Sequence, residues 1–192
     1  MNKKANMVLF ASGNGSNVER LVRHFSEVEN VDVSGIICNK PGAFVLERAR
    51  NLNIPSRLIT REEFYHPDFY QSLAGWAPDW IILAGFLWLI PEHFIKAFPS
   101  RIINIHPALL PKYGGKGMYG MKVHQAVIDA KDRKSGISIH RVNEEYDRGE
   151  ILFQAECEVY ENETPESLAQ KIHQLEYEYF PHIIEMIIRE TN

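Results

Sequence analysis

Short apolar runs of strand length alternate with stretches of helical periodicity through the first hundred residues. The pattern predicts strands at residues 7–11, 31–38, 55–59, 79–85 and 101–106, and helices from Ser16 and at 43–52, 69–76 and 91–98. Strand–helix alternation of this kind is typical of a parallel sheet with helices on both faces. The sequence therefore predicts an α/β fold with a Rossmann-like, mostly parallel, doubly wound sheet.

The pattern changes after a Gly-rich loop at 114–120. A helix is predicted at 121–130, followed by two strand-like runs at 135–142 and 151–159. Because only a short polar segment joins these two runs, they predict an antiparallel strand pair. Thr164 followed by Pro165 then begins a long, amphipathic C-terminal helix. At 192 residues the chain has the length of one domain, or of one core with a short appended half, so residues 1–192 are predicted to form a single domain.

Charge and cysteine content narrow the classes of function. The net charge of −4 argues against nucleic-acid or membrane-surface binding, which requires a basic face. Cys38 and Cys157 are far apart, without neighbours at metal-ligand spacing, which predicts reduced, buried thiols and no metal site. The apolar run at 7–11 is too short for a signal peptide, and no run has transmembrane length. The predicted location is cytoplasmic.

A glycine-containing loop at 13–17 follows the first predicted strand. Its main-chain N–H groups can surround an anion at a helix N-terminus, which suggests phosphate binding. Val18 stands where a dinucleotide site has its third glycine, so NAD binding is not predicted. The alternative is a tight turn without a ligand, in which Ser16 and Glu19 form a capping box.

Asn104 and His106 are separated by one residue near the end of a predicted parallel strand. Because strand side chains alternate, both point to the same side, at the sheet edge where open α/β sheets bind ligands. This placement favours a functional site. A strand end with a hydrogen-bonded histidine is the alternative.

Several motifs in a fixed order extend this observation. They are Asn-Ile-His-Pro-Ala-Leu-Leu-Pro-Lys-Tyr at 104–113, Gly-Ile-Ser-Ile-His at 136–140, Tyr-Asp-Arg-Gly at 146–149, Ser-Gly-Asn-Gly-Ser-Asn at 12–17, Leu-Ala-Gly-Phe at 83–86, and Glu176 before Pro181. Together they resemble the folate-dependent formyltransferase family over nearly the whole chain. Within that family, the chain is most similar to the members that act on glycinamide ribonucleotide.

The resemblance implies formyl transfer from 10-formyltetrahydrofolate, as co-substrate, to the amine of glycinamide ribonucleotide in purine biosynthesis. The amine attacks directly, so neither an enzyme nucleophile nor a metal is expected. The resemblance further implies a phosphate-binding half at about 1–100 and a catalytic, folate-binding half at about 101–192. Small-molecule ligands, no nucleic acid, no membrane, and a monomer or homodimer are expected.

The catalytic residues implied by the resemblance are Asn104, His106 and Asp147. Asn104 and a protonated His106 would stabilise the tetrahedral oxyanion. Asp147 would raise the pKa of His106 and accept the amine proton, through a water molecule. His140 either supports Asp147 or is a core histidine, and Asp147 itself has the alternative of a turn aspartate.

The resemblance also implies two groups of binding residues. For the substrate they are Gly15, Ser16, Asn17, Pro107 and Glu176, the last of which would accept hydrogen bonds from the ribose. For the folate they are Leu87, Trp88, Leu89, Ile90, Asn104, Asn143, Glu144 and Tyr146. An exposed helix glutamate is the alternative for Glu176.

The chain departs from the family pattern at Trp88, Arg141, Arg148 and Glu150, and its 114–120 loop is longer, which suggests a mobile lid. Four other readings stay open. Formyltetrahydrofolate deformylase and methionyl-tRNA formyltransferase are similar around the same residues but are expected to carry a further domain. Sugar N-formyltransferases share the chemistry, and a non-catalytic folate- or nucleotide-binding module would keep only the fold.

Overall fold

The structure is a computed structural model that describes residues 4–191. Residues 1–3 and 192, the two ends of the predicted 1–192 domain, lie outside the described part. No helix among the described residues is long and apolar enough to cross a membrane.

Seven strands are found within residues 4–191. They are β1 (Ala5–Ala11), β2 (Val31–Cys38), β3 (Ser56–Leu58), β4 (Trp80–Leu83), β5 (Ile102–His106), β6 (Lys134–Arg141) and β7 (Ile151–Glu158). Hydrogen-bonded neighbours follow the order β3-β2-β1-β4-β5-β6-β7. The pairs β1–β2, β1–β4, β2–β3 and β4–β5 are parallel, and β6–β7 is antiparallel. The predicted fold class is confirmed.

The helices agree with the predicted ones except at two places. They are α1 (Ser16–Phe25), α2 (Val45–Asn51), α3 (Arg61–Tyr65), a 3-10 helix (Phe69–Trp76), α4 (Glu92–Ala97), α5 (Met121–Asp129) and α6 (Pro165–Thr191). The short α3 was not predicted, although Thr60 and Glu63 form a capping box at its start. The segment predicted as a helix at 69–76 forms 3-10 turns.

The predicted capping box at the start of α1 is wrong. Gly15 is the N-cap residue, with a left-handed φ of 77°, and no side chain caps the helix. Ser16 is already the first helical residue. The carboxylate of Glu19 instead binds Arg23 and the guanidinium of Arg48. The Glu19 carboxylate, which the local pattern predicted to cap the helix, is therefore paired with a cation from another helix.

Contacts divide the described residues into two compact units, one ending at Asn104 and one starting at Ile105. A cluster of aromatic rings forms part of the core of the first unit. Phe10 and Phe64 contact each other, and each of them also contacts Phe86 and Phe94. In the second unit α6 buries an apolar stripe that includes Ile172. The assignment of the whole chain to a single domain stays a prediction.

Both cysteines are free thiols, as predicted. Cys38 is buried and Cys157 is half-buried, so the expectation of burial is confirmed only for Cys38. Burial raises the pKa of both thiols. A raised pKa keeps a thiol protonated and unreactive.

Candidate active site

The end of β5 carries two of the polar side chains predicted to be catalytic. Asn104 is half-buried and His106 is only 4% exposed. They lie two residues apart on the same strand, so they project from the same side of it. The strand stops at Pro107, which cannot donate a main-chain hydrogen bond to a continuing ladder. The sheet edge therefore presents an amide and an imidazole next to each other along the chain.

The imidazole of His106 is held between a carboxylate and a main-chain carbonyl. Its Nδ1 lies 3.5 Å from Oδ2 of Asp147, and its Nε2 lies 2.8 Å from the carbonyl oxygen of Tyr113. Both ring nitrogens thus face acceptors. Because a neutral imidazole has only one N–H, these contacts are both satisfied only when the ring is protonated.

Asp147 is the centre of this arrangement. One carboxylate oxygen accepts a hydrogen bond from the main-chain N–H of Gly115 at 2.9 Å, and the other lies 3.6 Å from Nε2 of His140. His140 is 2% exposed, and its Nδ1 lies 2.9 Å from the carbonyl oxygen of Arg141. The second unit therefore brings His106, His140 and Asp147 together. His140 lies beside Asp147, which favours the supporting role over that of a simple core histidine.

Burial and the polar contacts shift the pKa values of Asp147 and His106 in opposite directions. Burial alone would raise the pKa of Asp147, but the hydrogen bond to His140, the charge of His106 and the Gly115 N–H bring it below its usual value. Burial lowers the pKa of His106, and the neighbouring Asp147 opposes this only in part. Asp147 therefore raises the pKa of His106, as expected, but the desolvation of the buried ring outweighs the carboxylate, so the net pKa of His106 is lowered and does not favour the expected charged ring.

The backbone around Asp147 explains its position. Asp147 has a left-handed φ of 55°, and the main-chain N–H of Arg141 donates to the carbonyl of Glu150 across the turn that joins β6 to β7. A Cβ on Gly149 would lie 1.7 Å from the carbonyl oxygen of Arg141. Only glycine fits there, so the Asp-Arg-Gly motif places the carboxylate through close main-chain packing. The turn-aspartate alternative describes the backbone correctly but not the side chain, which faces two histidines.

The loop at 13–17 lies in the first unit and has the geometry of a tight turn. A Cβ on Gly15 would lie 2.5 Å from Val45, and the main-chain N–H of Val45 donates to the carbonyl of Gly13. Arg48 donates to the carbonyl and to the side-chain oxygen of Asn14, each at 2.9 Å. Ser16 and Asn17 are half-buried at the start of α1. The role of Arg48 in holding this loop was not predicted, because it is 34 residues away along the chain.

The predicted folate-binding segment at 87–90 also lies in the first unit, and part of its main chain is already occupied. The N–H of Leu87 donates to the hydroxyl of Ser12 at 3.0 Å, and the carbonyl of Leu89 accepts a hydrogen bond from the hydroxyl of Tyr65 at 3.1 Å. Trp88 packs against aromatic rings, including that of Tyr65. Ile90 is buried. The side chain of Leu87 is exposed, at 43%.

The remaining predicted binding residues lie in the second unit. Glu176 on α6 is only 7% exposed, so the alternative of an exposed helix glutamate is wrong. Pro107 is half-buried directly after His106. Asn143 accepts a hydrogen bond from the main-chain N–H of Glu145 at 3.1 Å and so stabilises its own turn. Glu144 of this turn is exposed, and Tyr146 is half-buried.

Two main-chain groups at this site were not predicted. The carbonyl of Tyr113 contacts His106, and the N–H of Gly115 binds Asp147. Both come from the beginning of the Gly-rich loop, where Tyr113 has a φ of 56° and Gly115 a φ of 99°. The glycines indicated a backbone with positive φ angles. A sequence does not indicate that main-chain atoms of this loop contact the side chains of His106 and Asp147.

The sequence is similar to known proteins along nearly the whole chain. Residues 5–184 match the family described as Formyl transferase. The chain is 39% identical over 195 residues to the chloroplastic phosphoribosylglycinamide formyltransferase of Arabidopsis thaliana, covering 98% of this chain and 67% of that protein. It is 35% identical over 191 residues to the phosphoribosylglycinamide formyltransferase of Bacillus subtilis (strain 168), covering 96% of this chain and 95% of that one.

A solved structure is similar over the same extent. The crystal structure of phosphoribosylglycinamide formyltransferase from Anaplasma phagocytophilum superposes with a TM-score of 0.88 at 31% sequence identity. The similarity covers 98% of this chain and 89% of that chain. Likeness of fold and of sequence therefore extends over both compact units.

Proposed function

Because the chain belongs to the formyl transferase family, we propose that it transfers the formyl group of 10-formyltetrahydrofolate to an amine by direct attack at the site around His106. The acceptor is glycinamide ribonucleotide, and the reaction is a step of purine biosynthesis, as the names of relatives that match along nearly their full length indicate. The observation that carries the proposal is the burial of His106 against Asp147, at the end of the strand that also holds Asn104.

In the proposed reaction the neutral amine of the substrate attacks the formyl carbon, and a C–N bond forms. The carbonyl π electrons move to oxygen, which creates a tetrahedral oxyanion. Collapse of this intermediate breaks the bond between the formyl carbon and N10 of the folate. One proton leaves the attacking amine and one is delivered to N10, so that formylated product and tetrahydrofolate result without any enzyme-bound intermediate.

Asn104 and His106 stabilise the oxyanion in this proposal. Preorganised donors at a site where charge develops are usually the largest single contribution to such a reaction. The pKa of His106 is lowered by burial before reaction. A negative oxyanion beside the ring offsets that desolvation and favours the imidazolium. Nε2 contacts the carbonyl of Tyr113, so this contact has to be exchanged for the oxyanion.

Asp147 receives the proton of the attacking amine, through a water molecule. Its pKa lies below the usual range, so the carboxylate is ionised at neutral pH and available as an acceptor. The attacking nitrogen becomes cationic once it is bonded to the tetrahedral carbon, so its proton is far more acidic than a proton of the neutral amine and can be passed to the carboxylate. His140 is a positioning residue for Asp147, since it contacts the oxygen that does not face His106.

The binding roles are proposed by unit. In the first unit Gly15, Ser16 and Asn17 bind the substrate phosphate, and residues 87–90 contact the folate. The second unit contributes Pro107 and Glu176 to the substrate. Asn104, Asn143, Glu144 and Tyr146 complete the folate contacts. Glu176 is only 7% exposed on α6, and its carboxylate has oxygen lone pairs that can accept hydrogen bonds from ribose hydroxyls.

The deciding experiment measures tetrahydrofolate formation from 10-formyltetrahydrofolate with and without glycinamide ribonucleotide. We expect turnover that requires the amine and that collapses in Asp147→Asn. Turnover without the amine would assign the chain to deformylation instead. No turnover with either would contradict formyl transfer to this acceptor, provided that the wild-type protein shows a cooperative thermal transition.

A further inference from the structure

A basic cleft in the second unit is lined by side chains that the proposed reaction does not use. Its volume is about 340 Å³, at the lower end of the range for small-molecule pockets, roughly 300–1,000 Å³. Its polar lining residues are Lys112, Tyr113, Asp132, Arg133, Lys134 and Ser135. The segment that follows β5 contributes the first two of these, and the turn that leads into β6 contributes the others.

The cleft carries an excess of positive charge. Lys112 lies 2.9 Å from Asp132, and Lys134 lies 2.5 Å from Glu156. The guanidinium of Arg133 has no acidic partner among the described residues and is exposed. Three cations therefore line the cleft against one carboxylate, that of Asp132, while Glu156 and Glu158 outside the lining attract Lys134. A local excess of this sign attracts an anion.

A buried hydroxyl in the same cleft lacks a partner. Ser135 is 2% exposed, and its Oγ has no hydrogen-bond partner within residues 4–191. The great majority of buried side-chain polar atoms do have one. A hydroxyl can donate to a ligand oxygen, and the neighbouring cations neutralise that oxygen's charge. The unpartnered hydroxyl is thus a second observation, independent of the charge, that points to a ligand.

We propose that this cleft binds the oxyanion group of a small metabolite, a phosphate or a carboxylate. Arg133 and Lys112 supply the charge, and the hydroxyl of Ser135 donates a hydrogen bond. The size of the cleft suits one such group with a small body attached. The proposal does not depend on formyl transfer, because none of the six polar lining residues belongs to the predicted catalytic or binding sets.

Tyr113 connects the cleft to the catalytic histidine. Its hydroxyl donates to Asp132 at 2.8 Å, while its carbonyl oxygen lies 2.8 Å from Nε2 of His106. Asp132 also pairs with Lys112. An oxyanion that draws Lys112 away from Asp132 changes the hydrogen bond between Asp132 and the hydroxyl of Tyr113. The carbonyl of Tyr113 in turn contacts the ring of His106. Occupancy of the cleft is therefore expected to alter the environment of His106.

The test is a titration followed by two-dimensional NMR of the backbone amides. Sodium phosphate and sodium succinate are added separately at constant ionic strength, so that the two arms distinguish a phosphate from a carboxylate ligand. The amides of 132–135 report on the cleft, and those of 13–17 report on the proposed substrate-phosphate loop. Arg133→Gln and Ser135→Ala remove one lining group each. Arg189→Gln, an exposed change on α6, is the matched control.

We expect saturable shifts at 132–135 with at least one of the two anions. The dissociation constant should rise about tenfold in Arg133→Gln, the loss of one charged partner, and severalfold in Ser135→Ala, with no change in Arg189→Gln. Shifts confined to 13–17, or no saturable shift at 132–135 with either anion, would overturn the proposal. The same dissociation constant in Arg133→Gln and Arg189→Gln would also overturn the proposal. Both variants retain the apolar residues of the core, so a difference in folding would not explain that result.

Discussion

The Nδ1 atom of His106 lies 3.5 Å from Oδ2 of Asp147, and both side chains are largely removed from solvent, at 5% and 11% exposure. A buried imidazole and a buried carboxylate stabilise each other's charged forms only while both remain in place. Each is also held by main-chain groups of the Gly-rich loop, Tyr113 for the ring and Gly115 for the carboxylate. We therefore propose that the pair, rather than either residue alone, is the unit on which the activity depends.

Asp147→Asn removes the proton acceptor and keeps the shape of the side chain. We expect kcat to fall by about 10²–10⁴-fold, the usual contribution of a general base, with a small change in KM. Steady-state formyl transfer measures the effect, and thermal unfolding checks the fold. The matched control is Asp129→Asn on α5, whose carboxylate binds only the neighbouring Gln125 among the described residues. Equal kcat in the two variants would contradict the role of Asp147.

Asn104→Ala removes one proposed oxyanion donor. Loss of such a donor costs about 10²–10³-fold in kcat, and we expect a fall of that size. The exposed Asn162 offers a control, Asn162→Ala, which should leave kcat unchanged. Single-turnover kinetics separates the chemical step from binding. A rise in KM with unchanged kcat would show that Asn104 binds the ground state only.

Gly149→Ala tests the backbone that positions Asp147. Its Cβ would lie 1.7 Å from the carbonyl oxygen of Arg141, so the turn between β6 and β7 must shift. We expect a loss of about 3 kcal/mol or more in the free energy of unfolding, the range of severe core strain, together with loss of activity. Gly75→Ala is the control, because nothing lies within 4 Å of its added Cβ. Urea denaturation gives both values, and equal stabilities would contradict the close packing.

His124 predicts a pH dependence of stability. It is 3% exposed on α5, and burial lowers its pKa from 6.5 to about 4, with His173 and His106 adding to the effect. Below pH 6.5 the unfolded chain binds a proton that the folded protein does not, so stability falls between pH 6.5 and pH 4 and the loss is complete below pH 4. Allowing for partial solvent screening, His124 accounts for roughly 2 kcal/mol of that loss.

Urea denaturation of wild type and His124→Gln at pH 7 and at pH 4.5 checks this expectation. The glutamine lowers stability at both pH values through altered packing, so only the difference between the two pH values is compared. We expect that difference to be smaller in His124→Gln than in wild type. The exposed His66 provides the control variant, His66→Gln. If both variants lose as much stability as wild type on acidification, the prediction that His124 is buried in its neutral form is wrong.

Much of the fold could be predicted, because its signals are local. Residues 31–38 form β2 with the predicted bounds, and the helix that begins at Pro165 starts where Thr164 and Pro165 indicated. One error arose where a local signal had a distant competitor. Ser16 and Glu19 have the spacing of a capping box, but Arg48, from another helix, binds the Glu19 carboxylate. No periodicity reveals a partner that is distant along the chain.

The sequence by itself determined the order of strands and helices, the parallel character of the first half, and the residue types at 104, 106 and 147. These follow from side-chain periodicity and backbone propensity, which act over a few residues. The tertiary structure alone decided which atoms face His106, that His140 stands beside Asp147, and that Glu176 is buried. It also decided the direction of the pKa of His106, because desolvation depends on every element packed around a group and not on its neighbours along the chain.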